Sequence, residues 1–259
     1  MKYLLTALKF WVVAVVLLHA LPVGAQRARK AAAPPAAVFT ARTTAFLRQH
    51  VNKNGRVNYA AIQRNPDQLD ALLFTIAGFD AAHASAPDQY AFYLNAYNVL
   101  VIGDIVRNYP LKSVQDMPGF FNKTLHRVGG EQLTLDQIET DKLRHIYDDP
   151  RLHFALVCGT QSCPPLRRIA YAGAELGAQL DIQARLALAN PAYVLVNPGV
   201  GLVQLPEILK WYEADFSASG QTGVGYVNQF RKAGRTAVPA WFAVEYYPHN
   251  WSLNDQARQ

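Results

Sequence analysis

The stretch from Ser85 to Asn108 constrains this chain more than any other. Ala91, Phe92, Leu94, Val99, Leu100, Val101, Ile102, Ile105 and Val106 fall on every side of a 3.6-residue period. A helix that is apolar all round has to be enclosed by the rest of its domain. Ser85-Ala86-Pro87-Asp88 reads as its capped first turn, with proline where a missing N–H does no harm. Pro110 ends it. Asn95 and Asn98 interrupt the apolar surface three residues apart, hence on one face. A buried amide without partners costs about 1–3 kcal/mol, so these two either brace neighbouring backbone or belong to a site.

Around this helix the pattern predicts a mixture of helices and short hairpins. Residues 39–50 and 66–76 read as helices, separated by the turn signal Asn52-Lys53-Asn54-Gly55 and a short extended piece at Val57-Asn58-Tyr59. Leu125–Val128 and Gln132–Leu135 flank Gly129-Gly130, a turn suited to a tight hairpin. Thr134 to Gln137 caps a helix running to about His145. The alternation in His153–Cys158 predicts a strand. A helix over 173–189, a hairpin over 193–205, a short helix after Pro206, a helix over 224–232 and a closing strand over 241–247 complete the reading. The elements lack regular βαβ alternation, so the expected fold class is α+β: one domain with a buried central helix, surrounding helices and short antiparallel hairpins.

The start of the chain reads differently. Lys2 and Lys9 precede the apolar run Phe10–Leu18, and Val23-Gly24-Ala25 offers small residues for cleavage. This is the plan of a secretory signal over residues 1–25. The run is shorter than the ~20 residues a spanning helix needs, so no membrane span is expected after cleavage. No cysteine lies there, which excludes a lipoprotein anchor. Residues 26–38, rich in Ala, Arg and Pro, read as a flexible tether, and 39–259 as a single globular domain. The expected location is periplasmic or secreted, and the expected partner is an envelope ligand or protein of unknown identity. Formal charge is +6, or +4 without Lys2 and Lys9, and no clustered basic stripe suggests nucleic acid.

Two cysteines, Cys158 and Cys163, share the segment His153-Phe154-Ala155-Leu156-Val157-Cys158-Gly159-Thr160-Gln161-Ser162-Cys163-Pro164-Pro165. Three readings stand. An even count in an oxidising compartment favours a structural disulfide. A nucleophilic thiol needs an imidazole or helix N-terminus to form its thiolate, and His153 is the nearest imidazole in sequence. In a regular strand, however, His153 and Cys158 would point to opposite faces, which makes Cys163 the better partner. A metal site from His153, Cys158 and Cys163 lacks strong zinc spacing and a fourth ligand, so neither metal nor cofactor is assigned. Gly-rich phosphate loops, nucleophile elbows and His-Glu-x-x-His helices are absent from the sequence.

Several ordered motifs resemble the domain-of-unknown-function 547 family. They are Ala91–Asn98, Tyr109-Pro110 with Lys112-Ser113-Val114, Leu133–Glu139 with Leu143-Arg144, His153–Leu156 with Cys158, Ser162–Leu166, and Lys210-Trp211-Tyr212 with Asp215-Phe216. The resemblance covers about residues 80–220; Val57–Tyr59 and Asn250–Asn254 are also similar to full-length bacterial members. It maps the recurrent residues to Asn95, Asn98, Glu139, His153, Cys158, Cys163 and Trp211. Thr140 follows Glu139 where the family commonly has histidine. A buried helix followed by a histidine-bearing strand is also similar to the papain and transglutaminase plan, with Asn95 in the place of the nucleophile. The catalytic candidates are therefore Cys163, Cys158, His153, Asn95 and Glu139. The expected activity, if the protein is an enzyme, is thiol-dependent hydrolysis or acyl transfer with His153 as base. The rival expectation is a non-enzymatic envelope binding or assembly module with a Cys158–Cys163 disulfide.

Overall fold

The computed structural model describes residues 35–218, 220, 222–231 and 237–258, so the expected signal over 1–25 and most of the tether lie outside the described residues. Helix α1 (Pro35–His50) starts four residues before the expected boundary, with proline tolerated in its first turn. Together with α2 (Tyr59–Arg64) and α3 (Asp67–Ala77) it packs on α4 (Ala86–Asn108). Every residue of α4 from Tyr90 to Val106 is buried, as its all-round apolar surface requires. The Ser85 hydroxyl accepts from the Asp88 N–H and caps it. No helix among the described residues is long and apolar enough to cross a membrane.

The chain then makes a hairpin of β1 (His126–Val128) and β2 (Glu131–Leu133) around Gly129 and Gly130. Both glycines have positive φ, which the tight turn needs and other residues resist. Their N–H groups donate to Ile76 and Ala77 carbonyls at the end of α3, which fixes the hairpin against the helical layer. A reciprocal Thr134–Gln137 cap opens α5 (Leu135–Gln137), which widens into a π-helical turn over Ile138–Arg144 and closes with α6 (His145–Tyr147). This turn packs against α4.

The expected strand at His153–Cys158 does not form. Pro150–Phe154 is a 3₁₀ turn, capped by the Asp149 carboxylate accepting from the Arg151 N–H. The backbone beyond it finds its partners on α4 rather than on a neighbouring strand. Asn98 Nδ2 donates to the Ala155 carbonyl at 3.0 Å, and Asn98 Oδ1 accepts from the Val157 N–H at 2.8 Å. Residues 152–157 are buried throughout, so the β-rich composition reflected enclosure, not sheet. The likeness to a plan with a strand-borne histidine loses its basis, because His153 sits on the 3₁₀ turn.

A 3₁₀ turn at Gly173–Glu175 leads into α7 (Leu176–Leu188). Then follow β3 (Leu195–Asn197), β4 (Leu202–Pro206), α8 (Ile208–Trp211), α9 (Glu213–Ser217), α10 (Gly223–Arg231) and β5 (Ala243–Tyr247). β3 and β4 form the expected hairpin, but β5 joins β4 in parallel, giving the order β3-β4-β5. The fold is a single α+β domain with two apolar clusters, one around α4 and one around Phe154, Val203, Leu205, Phe216 and Tyr226. Leu152 and Leu156 belong to the first and Phe154 to the second, so segment 150–158 runs along the seam between them. The C-terminal residues lace back over this seam through bridges Ser113–Ser252, Thr160–Leu253 and Val57–Asp255.

Candidate functional site

A cavity of about 310 Å³ lies beside that seam. It draws Tyr97 from α4, Phe121 and Asn122 from the loop before β1, and Asp136 and Glu139 from α5 and the π turn. His153, Leu156, Cys158 and Cys163 come from the seam segment, Ile208, Trp211 and Tyr212 from α8 and its end, and His249 and Trp251 from the C-terminal lacing. Four of the five candidate site residues, Glu139, His153, Cys158 and Cys163, thus meet at one cavity. Asn95 does not. Its amide donates to the Tyr171 carbonyl at 2.8 Å and accepts from the Tyr171 N–H at 2.9 Å, which is backbone bracing of the kind Asn98 provides for 155–157.

One wall is acidic. Glu139 sits on the wide π turn, a geometry that recurs at functional sites. Its carboxylate accepts from the Tyr212 hydroxyl and lies 3.9 Å from His153 Nδ1. His153 Nε2 is 2.7 Å from Asp215 Oδ2. Asp215 in turn takes two hydrogen bonds from Arg144, at 2.8 and 2.9 Å. The Tyr212 ring stacks on His153 with centroids 3.8 Å apart, and the Arg144 guanidinium lies over the Tyr212 ring at 4.9 Å from its centroid.

The two carboxyls on either side of His153 are pushed apart electrostatically. Burial raises the Glu139 carboxyl above the usual range, opposed by the Tyr212 hydrogen bond and the His153 and Arg144 charges. Hydrogen bonds from His153 and Arg144 hold Asp215 well below that range. Asp136 is raised by burial. An ionised Asp215 only accepts, so the hydrogen bond between them is donated by His153 Nε2, and Nδ1 is the ring nitrogen on the Glu139 side.

Another part of the lining carries sulfur. Cys158 and Cys163 form a disulfide, so the first of the three cysteine readings is the one the structure holds. The imidazole beside them is His249, not His153. His249 Nε2 is 3.9 Å from Cys158 Sγ and 2.7 Å from Thr160 Oγ1, and the Thr160 hydroxyl is 3.1 Å from Cys163 Sγ and 3.3 Å from Cys158 Sγ. Burial lowers His249 to about 4, against the raising effect of Glu207, whose carboxylate accepts the His249 backbone N–H at 2.8 Å. His249 escaped the sequence reading because it stands alone on a loop far from the cysteines; only the adjoining Asn250–Asn254 motif hinted at the segment. Gly159 makes the loop possible. Its φ is +79°, and a Cβ there would stand 2.5 Å from Ile105 Cδ1, so the chain turns directly against α4.

Aromatic rings complete the cavity. Trp211, 46% exposed, stacks with Trp251 at 5.8 Å between centroids, and His249 lies 4.5 Å from Trp251. Residues 81–186 match the model of a family described as Protein of unknown function, DUF547. This segment belongs to the DUF547 family. The DUF547 segment holds Glu139, His153 and both cysteines, whereas Trp211, Tyr212, Asp215, His249 and Trp251 lie beyond it. Thr140, which departs from the family's common histidine, is not among the residues lining the cavity. Neither a curated protein nor a solved structure matches the chain.

Proposed function

We propose that this domain is a hydrolase of the cell envelope in which Glu139 is the acid–base group and the aromatic cavity holds a glycan-bearing ligand. The observation that carries the reading is a largely shielded carboxyl, Glu139, its side chain 13% exposed, lining a cavity and backed by the chain His153–Asp215–Arg144. Environments that drive two neighbouring carboxyls in opposite directions separate a proton donor from a permanent anion. Glu139 keeps its proton to higher pH and gives it to a leaving group; Asp215 stays ionised and orients the imidazole. Trp211 and Trp251 offer flat apolar faces suited to the ring faces of a sugar, and Asn122 and Asp136 supply polar contacts at the same cavity. The signal-like start and the disulfide support an exported location.

Soluble peptidoglycan fragments in ¹⁸O-water test the proposal. The expected result is cleavage with one ¹⁸O in the product, lowered at least ~100-fold by Glu139→Gln. Quenching of tryptophan fluorescence without turnover would support the binding-module reading instead, and no quenching and no product would end both. A thiol-dependent acyl transfer remains a second reading, favoured by the 3.9 Å approach of His249 to Cys158 Sγ. It requires an opened disulfide and takes His249, not His153, as base. Activity that appears only after reduction and survives Glu139→Gln would establish it.

A further inference from the structure

The sulfur wall contains three soft or borderline metal ligands. Cys158 Sγ, Cys163 Sγ and a ring nitrogen of His249 all lie within 4.8 Å of one another. Part of that closeness is the disulfide itself. The rest is built by the fold. His249 is brought in from 86 residues beyond Cys163 by the C-terminal lacing, and its backbone is pinned by Glu207. The Cys158 N–H donates to Cys163 Sγ at 3.2 Å, a hydrogen bond that favours a thiolate at that sulfur. Thr160 Oγ1 occupies the space toward which all three converge, 2.7 Å from the nitrogen and 3.1 and 3.3 Å from the sulfurs. In the oxidised state the Thr160 hydroxyl is thus within hydrogen-bonding reach of all three atoms.

We infer that the Cys158–Cys163 disulfide is the closed form of a redox-gated zinc site, whose open form binds Zn²⁺ through Cys158, Cys163 and His249. Opening takes a dithiol reductant. Its two S–H groups become one S–S bond, the protein's S–S bond becomes two S–H groups, and two electrons pass from reductant to protein. Zn²⁺ then replaces the two thiol protons, which leave to solvent. Two thiolates and a neutral imidazole would balance the charge of Zn²⁺ and leave a fourth ligand to be supplied by water or a small molecule, and all three residues line the cavity. Two thiolates with an imidazole suit zinc better than a hard oxygen-seeking cation. The inference does not depend on the role given to Glu139, and its test reads binding rather than turnover.

The full chain is reduced with a dithiol, freed of reagent without oxygen, and titrated with Co²⁺ as a spectroscopic stand-in for Zn²⁺. Thiolate-to-cobalt charge transfer saturating at one ion per chain is expected, with Zn²⁺ displacing the cobalt. The oxidised chain should show no such band. His249→Gln should weaken binding by about tenfold or more, and His153→Gln should leave it unchanged. Near-UV circular dichroism establishes that each variant is folded. A reduced, folded wild-type chain without the charge-transfer band would overturn the site. So would a folded His249→Gln chain that binds cobalt as tightly as wild type, or a His153→Gln chain that loses binding.

Discussion

Asn95 and Asn98 show how much a single buried amide can organise. Each uses both halves of its side chain on the backbone of one distant segment, Tyr171 for the first and Ala155–Val157 for the second. Truncating Asn98 to alanine leaves a buried carbonyl and a buried N–H unpaired, so Asn98→Ala should cost about 2–5 kcal/mol in denaturant unfolding. A loss below 1 kcal/mol would mean that the amide is not the brace it resembles. Glu139 is the opposite case, a residue whose charge opposes folding. Its folded carboxyl is raised by burial, so the folded state holds a proton that the unfolded state releases once pH passes the ordinary 4.5. Stability from this group therefore falls as pH rises through that window. Glu139→Gln removes the penalty, and the variant should be more stable than wild type at neutral pH while losing activity. Equal or lower stability there would contradict the burial argument. Function held at a cost in stability is what a catalytic carboxyl predicts.

Elements were legible where local chemistry and burial agreed. The capped α4, the Gly129-Gly130 hairpin and the Thr134 cap all follow from residues within one or two turns of each other. The stretch from His153 to Cys158 has the pattern of a strand without forming one, because alternation and β-branching signal enclosure as well as strand, and only the distant Asn98 decides between them. The parallel pairing of β5 with β4 was also invisible, since its register joins Leu202 to Ala243 with no local mark in either segment. In the site, Cys158, Cys163, His153 and Glu139 were legible by residue type and motif, but the partnership of His249 with the sulfurs arises from tertiary lacing alone. Gly159 is the hinge of that loop, and its positive φ and the nearby Ile105 leave no room for a side chain. Gly159→Ala should lower stability by at least about 1 kcal/mol, read by chemical denaturation. An unchanged midpoint would show that the loop relaxes freely.

At the scale of the whole molecule, the seam between two apolar clusters does two things at once. It gives polar side chains a place to meet, and it sets them along a cavity of about 310 Å³. The disulfide closes only a short loop, so replacing both cysteines by alanine should cost only about 2 kcal/mol on the chain-entropy account, measured as the change in unfolding free energy. Complete unfolding of that variant would make the bond an architectural necessity instead. His249 adds an acid sensitivity. It is lowered to about 4 against an ordinary 6.5, so the unfolded chain gains a proton that the folded one refuses as pH falls between these values. Stability drops across that range, and His249→Gln should flatten the drop relative to wild type. The proposed chemistry depends most heavily on the divided acidity around His153. Carbon-13 carboxyl titration by NMR, with Glu139→Gln and Asp215→Asn assigning the signals, measures it without any substrate. Glu139 should titrate above its ordinary 4.5 and Asp215 below its ordinary 3.8; ordinary midpoints for both, or the reverse order, would contradict the assignment of Glu139 as the acid.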